Sequence, residues 1–275
     1  MGGKKIFIIG AVILALAVLC IFAFDSRLKI QRYSLSSDKL QGDVRIALIT
    51  DLHACKYGEN ESELISAVEA EAPDLVLFGG DIFDDEMPYD NAEALISGIA
   101  GRYPCYYVSG NHEYWGNDID NILGILESYG VTVLNGNGET VEINGRYINI
   151  CGITDPDIVR YADSDFSAEK QLEGLRDIGE NGYYTVLLSH RPELVELYEQ
   201  YAFDLILCGH AHGGQWRIPG ILNGLFAPNQ GIFPKYAGGL YELGESTMIV
   251  SRGLARETTG APRIFNRPEL VIIDL

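Results

Sequence analysis

Hydrophobic residues along the chain fall into one long uninterrupted run followed by a series of short ones. Residues 6–24 are nineteen consecutive positions without a charge, flanked by Lys4 and Lys5 before and Asp25 after. As a helix, that length crosses a hydrocarbon core of about 30 Å. A cleaved signal peptide is the competing reading, but its apolar core is shorter and ends in small residues. Leu19 ahead of Cys20 does not suit a lipoprotein site, and there is no twin arginine. The pattern predicts an N-terminal transmembrane anchor, residues 1–25, and one domain, residues 26–275. Lys4 and Lys5 favour an inside N-terminus with the domain extracytoplasmic, although Arg27, Lys29 and Arg32 pull the other way.

Beyond the anchor the period changes. Residues 28–35 partly alternate and predict a first strand; residues 44–50 form a compact β-type run. Residues 61–71 have helical spacing and stop before Pro73. Strands are then expected at 74–78 and 105–108, and helices at 91–100 and 117–129, the last closed by Gly130. A β-rich stretch follows, with strands at 131–134, 140–143 and 147–151 and a hairpin turn at Asn144-Gly145. Residues 155–167, with four aspartates and little apolar content, read as an exposed loop. A helix at 168–178, a strand at 183–188, a helix from Pro192 and a strand at 203–208 come next. Two more strands, 247–251 and 269–273, complete the chain. Alternating strands and helices make this an α/β chain, with a mixed sheet or two sheets rather than a purely parallel one. No GxGxxG follows the first strand, which argues against a dinucleotide-binding domain.

Charge and cysteine content narrow the chemistry. The net charge of −19 argues against a nucleic-acid polymer as partner, because that affinity rests on Lys and Arg neutralising phosphates. It suits attraction of divalent cations. The five cysteines show no CxxC and no paired spacing, so neither a disulfide framework nor a thiolate zinc site is expected.

The polar residues at strand ends carry the functional signal. All five histidines, His53, His112, His190, His210 and His212, lie just past an apolar strand-like run. Gly209-His210-Ala211-His212-Gly213-Gly214 sets two imidazoles between glycines that let the backbone turn sharply. Asp51, Asp81 and Asn111 occupy equivalent strand ends. An isolated Asp there is commonly a turn residue or a helix cap. Asp51, His53, Asp81, Asn111, His190, His210 and His212 together are too many ligands for one tetrahedral ion. They suit two borderline divalent metals sharing a carboxylate, with Asp81 the natural bridge.

Asp51-x-His53, then twenty-six residues, Gly80-Asp81-x-x-Asp84, then twenty-five, Gly110-Asn111-His112-Glu113 resembles the signature of calcineurin-like metallophosphoesterases. His190 and Gly209-His210-Ala211-His212 resemble that family's later metal-binding segments. Gly213-Gly214-Gln215 and Ser251-Arg252-Gly253 are similar to a membrane-associated branch related to UDP-2,3-diacylglucosamine hydrolases. The resemblance implies a four-layer α-β-β-α sandwich of two mixed sheets. It implies one metal on Asp51, His53, Asp81 and His212, and the other on Asp81, Asn111, His190 and His210. It further implies phosphoester hydrolysis by water activated between the ions, with His112 as general acid, Asp84 orienting its ring and Asn111 neutralising charge. Glu113 is read equally as a support for this turn or as a surface acid.

Asp85 stands where the related phosphoprotein phosphatases carry a phosphate-clamping arginine, which points away from phosphoprotein substrates. Small or lipid-linked phosphoesters are expected, diesters before monoesters. The alternatives are a pyrophosphatase acting on a nucleotide-linked lipid precursor and, from another class, a non-catalytic binding scaffold. The ligand set admits two ions of Mn, Fe, Zn or Co. Trp216, Phe226, Phe233, Tyr236 and Tyr241 read as packing beneath a long loop, or else as an aromatic wall for a substrate.

Overall fold

Strands apolar on both faces dominate the chain, and they stack as two sheets. The computed structural model describes residues 2–40, 43–162, 164–256 and 261–275. Its first half comprises α1 (Gly2–Ala23), β1 (Lys29–Ser34), β2 (Arg45–Ile49), α2 (Ser62–Glu71), β3 (Leu75–Gly79), α3 (Asp90–Ala100) and β4 (Cys105–Val108). Next come α4 (His112–Trp115), α5 (Ile119–Ser128), β5 (Thr132–Val133), β6 (Asn137–Ile143), β7 (Arg146–Gly152), α6 (Ile158–Tyr161), α7 (Ala168–Gly174) and α8 (Arg176–Gly179). The remainder is β8 (Tyr184–Leu188), α9 (Val195–Tyr198), β9 (Leu205–Cys208), β10 (Phe226–Ala227), β11 (Gly231–Ile232), β12 (Gly239–Leu243), β13 (Ser246–Val250) and β14 (Glu269–Asp274).

One sheet runs β1-β14-β2-β3-β4-β5 and the other β12-β13-β9-β8-β7-β6. Both are mixed: β14–β2, β6–β7 and β12–β13 are antiparallel, and the other neighbours are parallel. The two-residue period of β3 shows why the sheets stack. Val76 and Phe78 pack with Leu64, Val68, Leu95 and Ile96 of α2 and α3, while Leu75 and Leu77 join Leu188, Leu205 and Leu207 of the opposite sheet. On the second sheet Leu187, Ile206 and Met248 turn outward to Leu172, Val195 and Tyr198. Three apolar layers between four structural ones give the expected α-β-β-α sandwich. The Asn144-Gly145 hairpin forms as predicted, with both residues at positive φ, 52° and 76°, as a type I′ turn needs.

Differences from the sequence pattern are local. The helix expected over 168–178 is two short ones, α7 and α8, and the helix after Pro192 has only the four residues of α9 in α-helical form. The strand expected over 131–134 is two residues long, and the pattern does not mark β10, β11 or β12. The loop expected over 155–167 contains α6, and Asp155 is buried rather than exposed; Asp163 lies outside the described residues. α1 is long and apolar enough to cross a membrane, and its large side chains are exposed along its length.

Leu207 sits wholly buried between the two sheets. Leu207→Ala should cost about 2–5 kcal/mol through lost transfer energy and the cavity left behind. A fall in the denaturant midpoint at unchanged slope checks this; no fall would mean the sheets do not share that core.

Candidate functional site

The site is built where both sheets end. The first sheet delivers Asp51 and His53 after β2, Asp81 after β3, and Asn111 and His112 after β4. The second delivers His190 after β8, and His210 and His212 after β9. Parallel strands put these C-terminal ends along one edge, the usual location of α/β ligand sites. Asp51, His53 and His212 bring one potential ligand atom each to within 4.8 Å of the others, and so do Asp81, His190 and His210. Each is part of one of the four-residue sets that the resemblance implies, the first without Asp81 and the second without Asn111.

Each carboxylate divides its oxygens between structure and cleft. Asp51 Oδ1 accepts the His210 amide at 2.8 Å, and Asp81 Oδ1 accepts the His112 amide at 2.9 Å. Asp81 Oδ2 faces His190 Nε2 at 3.1 Å and His53 Nε2 at 3.6 Å, the placement of a shared ligand. Asp51 Oδ2, His53 Nε2, Asp81 Oδ2, Asn111 Oδ1, His190 Nε2 and His212 Nδ1 are all buried without a hydrogen-bond partner. Burying polar atoms unpaired is costly, and six in one place fit ions that would complete them.

Neighbouring groups fix the imidazoles. His190 donates Nδ1–H to Gly79 O at 2.8 Å, since a carbonyl can only accept, which leaves the Nε2 lone pair facing the cleft side. Burial pushes the His210 and His212 imidazoles well below their usual range, helped by Arg191 and His53 respectively, so both are held in the neutral, ligating form. Burial alone would raise Asp81, but His190 and His53 outweigh it and hold the carboxyl well below the usual carboxylate range. Burial opposes charge on His190 too, yet Asp81 and Asp51 push it up to about 10.

Two carboxylates adjust the sequence reading. Asp84 Oδ2 makes its hydrogen bond to His53 Nδ1, at 3.0 Å, and stands 3.6 Å from His112 Nδ1. The close partner of His112 is Asp85, with Oδ1 2.5 Å from Nδ1. Asp85 therefore does more than mark a missing arginine. Glu113 is wholly buried: Oε1 accepts the amides of Ile82 and Phe83, and Oε2 those of Asp81 and Gly110. It clamps the β3 and β4 loops together, which settles its role as support rather than surface acid.

The cleft over Asp81, Asn111, His112, His210 and His212 is about 170 Å³ and is also lined by Trp115, Asp157, Arg160, Arg191, Pro228 and Asn229. Sequence reasoning missed Arg191 and its partners. The guanidinium is buried, grips Asp155 through Nε and Nη2 at 2.5 and 2.8 Å, and reaches Asn229 Oδ1 at 2.8 Å and His210 Nε2 at 3.1 Å through Nη1. Its position next to His190 was the one available signal. None of the five aromatics of the 215–243 segment lines this cleft. Tyr236 is buried, but Trp216, Phe226 and Phe233 are exposed, so the packing account fails for those three.

A calcineurin-like phosphoesterase family model matches residues 44–214, which hold every candidate ligand named above. The chain belongs to the calcineurin-like phosphoesterase family. It is 32% identical to a metallophosphoesterase of Aquifex aeolicus over 90% of this chain and 92% of that one. It is 28% identical to the phosphodiesterase YaeI of Escherichia coli over 84% and 82%. The chain spans half the length of the two Helicobacter pylori metallophosphoesterases it also matches. Among solved structures, the 5′-nucleotidase precursor of Thermus thermophilus superposes with a TM-score of 0.55 at 16% identity, covering 78% of this chain and 50% of that one, a likeness of fold.

The separate partners of Asp84 and Asp85 predict separable defects in this phosphoesterase-family site. Asp84→Asn should weaken metal retention about 10–100-fold through His53, whereas Asp85→Asn should keep bound metal. Elemental analysis of both variants checks this; full retention in Asp84→Asn would restore Asp84 as the partner of His112. Glu113→Gln turns an amide donor toward two backbone N–H groups and should cost about 1–3 kcal/mol. A thermal midpoint equal to that of the parent would contradict the clamp.

Proposed function

We propose that this chain is a two-metal phosphoester hydrolase, held by α1 as a single-pass membrane protein, that cleaves small or lipid-linked phosphodiesters. The convergence of six unpartnered buried donor atoms from both sheets carries this reading. Asp51, His53 and His212 would hold one ion and Asn111, His190 and His210 the other, with Asp81 shared. Hard oxygens mixed with imidazoles suit Mn, Fe, Zn or Co. Two such ions would supply polarised phosphoryl oxygens and a water acidic enough to attack at neutral pH.

The chain's own side chains account for the rest. With His112 Nδ1 held by Asp85, Nε2 is left to give its proton to the departing alkoxide, a contribution of ~10²–10⁴ in rate. Trp115 lies against the same ring, with centroids 4.5 Å apart, and limits its rotation. Arg191, neutralised by Asp155, fixes His210 and Asn229 at the cleft wall through Nη1. Asp85 supports the diester preference, because a carboxylate beside the leaving-group acid opposes the second negative charge of a monoester. The name of the YaeI relative points the same way.

His112→Ala should keep both metals and lose about 10²–10⁴ in turnover on alkyl phosphodiesters, with less loss on p-nitrophenyl diesters, whose leaving group needs no proton. Equal loss on the two substrate types would remove the acid role. Asp81→Asn should strip the protein of metal, and full occupancy by elemental analysis would contradict the shared ligand.

A further inference from the structure

The hairpin walling one side of the cleft is apolar on its outer side. β10 and β11 pair Phe226 with Ile232, and the turn between them gives Pro228 and Asn229 to the cleft. Phe226, Ile232 and Phe233 are 50%, 69% and 68% exposed. The preceding loop adds Trp216, Ile218 and Ile221, the last 84% exposed in a tight turn closed by the Ile218–Leu222 bridge. Single exposed apolar side chains are ordinary, but six between residues 216 and 233, beside one site, mark a surface meant to be covered.

Hydrogen bonds tie this face to the end of α1. Phe265 N donates to Ala23 O at 2.7 Å, where the helix stops. One residue earlier, Ile264 N donates to Gln215 O at 3.2 Å and Ile264 O accepts Arg217 N at 2.9 Å, while Trp216 Nε1 donates to Pro262 O at 2.9 Å. One residue later, Asn266 Nδ2 donates to His212 O at 2.7 Å. The short segment 262–266 therefore touches the exit of the apolar helix, the apolar loop and a metal-ligand histidine. Basic groups gather here as well: burial, then Arg252, Arg267 and Arg217 nearby, push the Lys29 ammonium down. Glu269 opposes this shift, and Arg252 and Arg267 are paired with Glu269 and Asp25.

We infer that the 216–233 face is a bilayer-contacting surface. With α1 inserted, Trp216, Ile218, Ile221, Phe226, Ile232 and Phe233 enter the headgroup boundary and the cleft opens at the membrane surface. Continuity with an exposed apolar helix of membrane-spanning length selects lipid over a second protein as the occupant, and a tryptophan at the boundary is what such an interface favours. The inference rests on α1 being a membrane anchor and is independent of the reaction in the cleft.

The test uses the full chain in vesicles of phosphatidylcholine and phosphatidylglycerol with brominated acyl chains, which quench nearby tryptophan. Trp115→Phe leaves Trp216 as the sole tryptophan of the chain's two. A Trp115→Phe/Trp216→Phe/Tyr147→Trp variant places the reporter at an exposed position at the start of β7, the end of the sheet opposite the site. Trp216 emission should fall about twofold or more relative to unbrominated lipid, and the position-147 reporter should change little. Adding Ile221→Asp and Phe233→Asp to the Trp216 reporter should restore most of its emission. Unquenched Trp216, equal quenching at both reporters, no recovery in the double-aspartate variant, or failure of the protein to float with vesicles would each overturn the proposal. Quenching at Trp216 in a protein that hydrolyses no phosphoester with any of the four metals would sink the phosphoesterase reading and leave this one standing.

Discussion

Two carboxylates taken out of water set the terms for everything around them. Asp51 and Asp81 are buried at the meeting of the two sheets, and each spends one oxygen on a backbone amide from a different strand loop. The Asp51–His210 contact joins the first sheet to the second, and the Asp81–His112 contact joins β3 to β4. What remains on each is an oxygen without a hydrogen bond, near imidazoles such as His53 and His190 whose other ring nitrogen is already held by Asp84 or Gly79 O. Charges buried this way are tolerated only when paired. His190, pushed up to about 10 by these same carboxylates, supplies part of that pairing when no cation does.

The backbone is bent to achieve this. Asp51, His53, Asp81, His210 and His212 all have φ between 46° and 64°, in the left-handed region that side-chain-bearing residues avoid. Each costs on the order of 1–2 kcal/mol, so the five together approach the net stability of a typical domain. Such geometry persists only where the surroundings over-determine it. Here the three apolar layers hold the strands, and Glu113 locks two loops with four accepted amides. Glycines clear the space: a Cβ on Gly110 would lie 2.2 Å from Asp81 Oδ1, and one on Gly209 2.5 Å from Asp51 Oδ2.

The gathering of the candidate site residues was legible because they follow runs whose period marks them as strands, and strand ends in an α/β fold share an edge. The same periodicity pointed to an α/β chain with a mixed sheet or two sheets, and the four layers followed only from the family resemblance. What escaped depends on pairing at a distance. Asp155 sits in a polar stretch that reads as exposed, and only the packing of β7 beside β8 brings it to Arg191, 36 residues on. Asp84 and Asp85 are adjacent, and no pattern reveals that they point at different histidines. The exposed aromatics of the 215–243 segment follow no strand or helix period, so nothing in the sequence separates a buried ring from one facing outward.

Arg191 shows how the unread contacts complete the read ones. Its guanidinium meets Asp155 and Asp157 beside α6, Asn229 on the β10–β11 turn and His210 among the ligands. Three separate walls of the cleft thus meet at one side chain that is itself delivered by β8. Removing it would leave a buried carboxylate without its counter-charge, and losses of that kind run to about 3–5 kcal/mol. The same group links the wall carrying the apolar hairpin to His210. Asn229 on that hairpin also lies 2.8 Å from His210 Nε2 through its Oδ1, so the apolar wall reaches His210 both directly and through the planar guanidinium fork.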